Sequence, residues 1–394
     1  MILEKNAPAY LTNWGAAYRG DSLDLLAALP DSSVNLVLTS PPFALQREKE
    51  YGNKAQAEYV AWLAQFAQLV HRKLKDDGSF VLDLGGAYEP GSPTRSLYNF
   101  RVPIHFCDDL GFHLAEDFYW FNPSKLPSPI EWVNKRKLRA KDAVNTVWWF
   151  GKTRWPKANV TKVLAEYSDR MKKLLEDPEG FYTPKKRPSG HEISKAFAKD
   201  NGGAIPPNLL QISNSESNGS YLRGCKTAGV KGHPARFPAK LPEFFIRFLT
   251  EPGDLVLDIF AGSNTTGHVA ECEGRKWLAF EERLDYLAAS SFRFFADAAT
   301  AAELKAAHAA ILHGKTADLR RDVFQVAPPT PRNGNVHKPA TPTQGVLVLA
   351  ESTDAPVARK RLLPKTVSYA NDGCSKDPTN KHCLGILERI ENQV

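Results

Sequence analysis

The sequence predicts an α/β fold, a parallel, doubly wound sheet interrupted by an inserted segment. Three observations lead there. Apolar runs of strand length alternate with segments of helical period from residue 15 to about 130, and again after 233. A small-residue loop, within DIFAGSNTTG (258–267), joins a buried-type strand to a helix, which is where doubly wound sheets bind nucleotides. Between the two alternating regions, from about 152 to 230, the chain is rich in Lys, Pro, Asn, Gly and Ser and has poor periodicity.

Taken in order, AAYRGD reads as a strand ending at Asp21, SLDLLAALP as a short helix, and VNLVLT (34–39) as a buried strand. That strand stops at Ser40-Pro41-Pro42, because two prolines cannot continue a ladder. The polar, aperiodic stretch 44–56 reads as a mobile loop. A helix is expected from Glu58 to Leu74, a strand over SFVLDL (79–84), a helix around 101–110, and strands over DFYWFN (117–122) and VNTVWWF (144–150). After the insert, a helix is expected over 241–250, with strands at DLVLDIF (254–260) and WLAFE (277–281). From about 321 a Pro/Thr-rich linker leads into a weakly patterned tail. The expected divisions are 15–151, 152–230, 231–320 and 321–394.

The formal charge of +7 and a pI of about 9.0 are compatible with a polyanionic partner. Cys107, Cys225, Cys272, Cys374 and Cys383 are odd in number and never spaced as CxxC, so neither a disulfide framework nor a metal site is expected. The N-terminal segment lacks the apolar core of a signal peptide, and no apolar run reaches membrane-span length, which gives the expectation of a soluble, cytoplasmic protein.

Two motifs carry chemistry. In the loop after Asp258, Gly262 lets the backbone approach a ligand, and Thr265 and Thr266 suit a helix start. The next strand ends in Glu281, whose carboxylate suits the two hydroxyls of a ribose. The loop is not GxGxxG, which favours an adenosyl ligand without diphosphate over NAD. Taken alone, such a loop is as often a tight turn.

The second motif is LTSPPF (38–43). An exocyclic amine of a base is planar, with its lone pair delocalised into the ring. Two acceptors that bind both N–H groups draw the nitrogen towards tetrahedral geometry and stabilise the positive charge that develops on alkylation. Ser40 Oγ and the Pro41 carbonyl can be those acceptors. Pro41 and Pro42 fix the backbone, and Phe43 can stack on an extruded base. Ser-Pro-Pro alone is usually a strand terminator; following an apolar strand in a fold that also carries a cofactor loop, the functional reading prevails.

Ser-Pro-Pro-Phe at 40–43 together with FAGSNTTG at 260–267 resembles the β class of S-adenosylmethionine-dependent DNA amino-methyltransferases. In that class the catalytic motif comes first, then the target-recognition region, then the cofactor motif, which is the order here. TSPPFALQREKEYGN, FYWFNPSKLPSPIEWVNKRK, NGGAIPPNLLQISNSESNG and HPARFPAKLPEFFIRFLTEP extend the likeness, towards the cytosine-N4 branch, from about residue 15 to 315. The resemblance implies a circularly permuted, Rossmann-like sheet with the insert as a small target-recognition domain. It implies catalysis by Ser40, Pro41, Pro42 and Phe43, and cofactor binding by Asp258, Phe260, Ala261, Gly262, Ser263, Asn264, Thr265 and Glu281. Asp21 would lie near the adenine amine, and Arg236, Phe237 and Pro238 against the methionine part. Asn264 stands where glycine is commoner. Double-stranded DNA is the implied partner, CAGCTG the implied target, and a cognate restriction endonuclease the implied companion in a modification system, with no stable complex between them.

Lys135, Arg136, Lys137 and Arg139, in a basic run that continues to Lys141, are candidate phosphate contacts; a solvated helix face is the alternative. Tyr119 and Trp120 are candidate walls of a base pocket, or core aromatics. His233 is a ligand contact or a turn residue. The rivals are an adenine-N6 enzyme, an amino-methyltransferase for RNA or protein, and a DNA-binding module without catalysis. A cytosine-C5 enzyme is excluded, since it needs a cysteine nucleophile and no Pro-Cys occurs. Because the resemblance ends near 315, removal of 321–394 is expected to leave methyl transfer intact. Methyl incorporation into DNA by the folded, truncated protein tests this, and its loss would show the tail to be required.

Overall fold

The computed structural model describes residues 6–44, 56–178, 199–215, 219–296 and 299–320. The expected loop at 44–56, all but its two end residues, and the tail from 321, including Cys374 and Cys383, lie outside the described residues.

The strands form one ten-stranded sheet. They are β1 (Tyr10–Leu11), β2 (Gly15–Arg19), β3 (Val34–Thr39), β4 (Leu74–Gly85), β5 (His113–Phe121), β6 (Val144–Gly151), β7 (Leu209–Gln211), β8 (Leu255–Asp258), β9 (Lys276–Glu281) and β10 (Ala317–Asp318). Their order across the sheet is β10-β1-β2-β9-β8-β3-β4-β6-β5-β7. The central run β2, β9, β8, β3, β4 is parallel. The sheet as a whole is mixed, which corrects the expectation of a parallel one. β6 lies antiparallel between β4 and β5, and β1 antiparallel to β2. The connection from β5 to β6 carries a single five-residue helical segment, Glu131–Lys135, too short to serve as the crossover that a parallel return requires.

Alternation along each strand explains why both faces are covered. On β3, Val37 faces one apolar cluster, whereas Leu36 and Leu38 face the other, and a register irregularity between Val34 and Leu36 turns Val34 to the side of Val37. On β6, Trp148 and Phe150 take the first face, Val147 and Trp149 the second. The first cluster is completed by α1 (Ser22–Ala28), α2 (Gln56–Lys73) and α3 (Tyr98–Asp108). The second is completed by helices at Lys240–Leu249, Thr265–Cys272, Leu284–Ser290 and Ala301–Leu312. Among the described residues no helix is long and apolar enough to cross a membrane.

Both described ends of the 152–230 segment are built into this body. Asn159 N–H donates to the Phe248 carbonyl at 2.8 Å, and β7 pairs with β5 in parallel. The helix Ser220–Ala228 buries Tyr221 and Cys225 beside Ala289, Phe292 and Leu304. Residues 179–198 lie outside the described residues.

β3 and β8 are neighbours from which the chain continues in opposite directions, to β4 and to β9 respectively. This is the switch point at which open α/β sheets leave a crevice beyond the carboxyl ends of their strands. One buried carboxylate spans it. Asp258 accepts from Thr39 Oγ1 at 2.6 Å, from Thr266 Oγ1 at 2.7 Å and from the Phe260 N–H at 3.1 Å. Burial pushes its pKa up, and the three donors act against that. Asp258→Ala strands two hydroxyls and an amide in the interior, at about 1–3 kcal/mol for each group left unsatisfied. Thermal denaturation is expected to show a large drop in melting temperature, and an unchanged midpoint would remove Asp258 from the framework.

Candidate active site

A cavity of about 890 Å³ opens at this switch point. The ends of β2, β8 and β9 frame one side, and those of β3, β4 and β5 with the start of β6 frame the other.

On the first side the loop after β8 turns on Gly262, at φ +51°, a left-handed conformation that favours glycine. A Cβ there would also meet the His233 ring at 3.2 Å. The Gly262 N–H donates to Glu281 Oε2 at 2.8 Å, and the Arg283 N–H to Oε1 at 2.9 Å. Burial pushes the Glu281 carboxyl up to about 7, against these two bonds. Phe260 packs against Trp62 and Phe66 of α2, with ring centroids 5.7 and 5.0 Å away, which gives this side an aromatic wall. Asp21 caps α1, accepting from the Leu23 N–H at 2.8 Å, and lies on the cavity wall. Arg293 binds the loop from behind, donating to the Ser263 carbonyl at 2.5 Å and to Thr265 Oγ1 at 2.9 Å. Arg236 donates to the His233 carbonyl, and its guanidinium lies over the Tyr221 ring. Burial drives the His233 imidazole down to about 4, so it is neutral at physiological pH.

On the second side Ser40 Oγ donates to Asp83 Oδ2 at 3.0 Å. Asn145 Nδ2 donates to Asp83 Oδ1 at 3.1 Å. Asp83 is 5% exposed, and burial lifts its carboxyl to about 6, opposed by Ser40, Asn145 and Lys125. The antiparallel course of β6 is what brings Asn145 here, opposite Gly85 at the end of β4. The Pro42 carbonyl accepts from Tyr59 Oη at 2.9 Å, which pins the motif. Among the described residues the Pro41 carbonyl has no hydrogen-bond partner. The Phe43 ring packs over Gly85, where a Cβ would come within 2.5 Å of it. A hydroxyl has one proton and two lone pairs, so a Ser40 that gives its proton to Asp83 can still accept from a ligand.

A DNA methylase family model matches residues 34–292. The chain belongs to this family. It is 68% identical over 312 residues to the type II methyltransferase M.PvuII of Proteus hauseri, across 79% of this chain and 93% of that protein. Identity to the type II methyltransferase M.ScaI of Streptomyces caespitosus is 27%, across 74% and 84%. Among solved structures, PvuII DNA methyltransferase (cytosine-N4-specific) superposes with a TM-score of 0.67 at 58% identity, covering 80% of this chain and 98% of that one. The methylase is therefore a DNA methyltransferase of the amino-nitrogen class, with DNA as substrate and S-adenosylmethionine as methyl donor.

Of the residues expected from sequence, Ser40 to Phe43, Asp21, Arg236, Phe237, Phe260, Ala261, Gly262, Ser263, Thr265 and Glu281 all line the cavity. Three expected cofactor contacts do not. Asp258 is 1% exposed beneath the loop, with both oxygens engaged. Asn264 is fully buried at φ +50°, capping the Thr265–Cys272 helix through the Gly267 N–H and donating to Tyr10 Oη at 2.9 Å. Its left-handed backbone explains why glycine would be natural there and why asparagine is tolerated. Pro238 is buried behind the wall. These three are buried behind the cavity lining, where they support the loop and its neighbour.

The methylase also separates the basic run from the cavity. Lys135 and Arg136 are exposed and share Glu131, at 3.2 and 2.9 Å. Arg139 Nε donates to the Pro93 carbonyl at 2.9 Å, and Lys137 is exposed. Of the two aromatic candidates only Trp120 lines the cavity; Tyr119 is exposed, its hydroxyl donating to Asp117 at 2.6 Å. Sequence reasoning missed Trp62, Phe66, Asp83, Asn122, Lys125 and Asn145. Helical spacing places Trp62 and Phe66 on one face of α2, and Asp83 is the one acid in the apolar run SFVLDL (79–84), but nothing local names their partners.

The resemblance sets the Glu281 carboxylate against two ribose hydroxyls, and that role gives the expected effect. Glu281→Ala weakens S-adenosylmethionine binding by about 1.5–3 kcal/mol, the worth of a hydrogen bond to a charged group. Because the carboxyl titrates near 7, wild-type affinity falls as pH drops through that value and the group takes up a proton. Glu281→Gln removes this pH dependence. Calorimetry between pH 6 and 8 checks both, and unchanged affinity in Glu281→Ala would take the residue out of the site.

Proposed function

We propose that the protein methylates N4 of cytosine in duplex DNA, after the base has been turned out of the helix into the Ser40 side of the cavity. The observation that carries this reading is the Ser40 hydroxyl donating to buried Asp83, beside the Pro41 carbonyl, which has no partner among the described residues, in the cavity that also contains the Gly262 loop. Ser40 Oγ and the Pro41 carbonyl accept the two amino protons and pull the nitrogen out of conjugation. Asp83 holds Ser40 with its lone pairs presented to the amine, and Asn145 holds Asp83. S-adenosylmethionine, when bound, supplies an electrophilic methyl on a positively charged sulfur. Glu281 holds its ribose, Asp21 lies by its adenine amine, the Phe260 wall takes its flat ring, and Arg236 and Phe237 line its amino-acid end. As the nitrogen becomes cationic, its surplus proton passes to Ser40 Oγ while the Ser40 proton passes to Asp83. Phe43 stacks on the turned-out base.

The 152–230 segment supplies target recognition in this reading. β7 carries its residues to the cavity rim, where Asn214 lines the wall. Lys135, Arg136, Lys137 and Arg139 sit on an exposed surface and contact backbone phosphates. The long likeness to the PvuII enzyme supports CAGCTG as target, a cognate endonuclease as companion, and a cytoplasmic location.

The experiment is single-turnover methyl transfer on a target duplex. Ser40→Ala is expected to lower the rate by about 10²–10³, the usual effect of one preorganised hydrogen-bonding group. Its affinities for DNA and cofactor change much less, because the interaction matures only in the transition state. Phe43→Ala loses a stacking surface worth about 1–3 kcal/mol. With 2-aminopurine at the target position, it shows weak base extrusion where Ser40→Ala shows strong extrusion. The wild-type rate falls as pH drops through about 6, where Asp83 protonates. A wild-type rate for Ser40→Ala would reduce SPPF to a strand terminator.

A further inference from the structure

An amine held by Ser40 and Pro41 could belong to cytosine or to adenine, so the motif does not choose the base. The remainder of the Watson–Crick edge does. Next to the amine both bases present an acceptor nitrogen, N3 in cytosine and N1 in adenine. Beyond it cytosine presents a carbonyl, O2, and adenine a C–H. A pocket that prefers cytosine therefore needs a donor at the third place along that edge.

The turn that follows β5 supplies two donors on the same cavity wall, Asn122 and Lys125. Asn122 Oδ1 accepts from the Ser124 N–H at 3.1 Å and from the Asn214 N–H at 3.2 Å. Those bonds fix the amide plane and leave Nδ2 as the outward group. Among the described residues Nδ2 has no hydrogen-bond partner. Lys125 lies one turn on, its N–H donating to the Asn122 carbonyl at 3.2 Å. Lys141 braces the turn from outside, donating to the Pro123 and Lys125 carbonyls at 3.1 Å each. The Lys125 ammonium forms no ion pair or hydrogen bond among the described residues, though it lines the cavity and is half-buried. Among the described residues it is the cation whose charge opposes the rise of the Asp83 carboxyl, the partner of Ser40.

We propose that Lys125 reads O2 and Asn122 reads N3 of the turned-out base, and that this pair makes the pocket select cytosine over adenine. The proposal rests on the cytosine-N4 reading above. With cytosine bound, both donors are paired. With adenine bound, the ammonium faces a C–H and loses both water and partner, and a site built to bond a polar group rejects the analogue that lacks it. The wall that sets base identity is thereby separate from the groups that activate the amine.

The test compares three duplexes in single-turnover methyl transfer. They carry deoxycytidine, deoxyadenosine, or a 2-aminopyridine C-nucleoside at the target position. The last keeps the amine and ring nitrogen and replaces the carbonyl with C–H. Wild type is expected to favour cytosine over the carbonyl-free analogue by about 10–100-fold, the worth of a hydrogen bond to a charged group. Lys125→Met slows cytosine by that factor and leaves the analogue nearly unchanged, so the preference disappears, and adenine gains relative to cytosine. Asn122→Asp, which replaces the donor with an acceptor of the same size, slows cytosine and analogue alike, since both keep the ring nitrogen. Calorimetry with S-adenosylhomocysteine confirms that each variant is folded. Equal slowing of all three duplexes by Lys125→Met would make Lys125 a phosphate contact or a structural residue and overturn the proposal. So would a wild-type enzyme indifferent to the carbonyl. Wild-type methylation of adenine in place of cytosine would overturn the cytosine-N4 reading itself, a result visible before any variant is made.

Discussion

The active cavity depends on the Asp258 carboxylate. Thr39, the last residue of β3, and Thr266, in the first turn after the cofactor loop, donate to its two oxygens. Ser40 follows Thr39 directly, and Gly262 lies four residues before Thr266. One buried group therefore sets the spacing between the Ser40 motif, proposed to face the methyl acceptor, and the Gly262 loop, proposed to face the methyl donor. Transfer between two bound molecules is sensitive to such spacing, because the reacting atoms must be held near attack distance. A carboxylate is well suited to this position, since it takes several donors at once and leaving any of them unpaired in the interior is costly.

Two further acids stand at strand ends above it, and both are raised by burial. Asp83 is brought to about 6 and Glu281 to about 7. Their surroundings give them different work. Glu281 accepts backbone N–H groups from the loop and from Arg283, so it is tied to the ligand cradle. Among the described residues Asp83 accepts from two side chains, Ser40 and Asn145, so it acts on the Ser40 hydroxyl. A proton arriving at Asp83 alters Ser40 at once, whereas one at Glu281 alters the loop.

The antiparallel strand is the feature that completes the base side. Parallel strands place only their carboxyl ends at the crevice. Because β6 runs the other way, its amino end reaches the same level and delivers Asn145 to Asp83. β5 then ends beside it, and the turn beyond β5 carries Asn122 and Lys125 to the wall. β7, from the 152–230 segment, pairs with β5 and brings Asn214 to the rim, where its N–H fixes the Asn122 amide. The segment expected to read sequence is thus bonded to the wall proposed to face the base.

The sequence by itself determined the central strands and the two motifs. VNLVLT is a strand over those six residues because an apolar, β-branched run meets two prolines that cannot extend a ladder. SPPF and the Gly262 loop were legible because their chemistry is local: a fixed backbone, a hydroxyl, a residue free to adopt positive φ. The direction of β6 was not legible, since an apolar strand reads the same whichever way it runs. Nor was the burial of Asp258 and Asn264 beneath the loop legible, because burial depends on which strands become neighbours. Asp83, Asn145, Asn122 and Lys125 come from three separate stretches of chain and meet only when β4, β6 and β5 lie side by side. Their roles arise from distances across the sheet, and the sequence contains no local record of those distances.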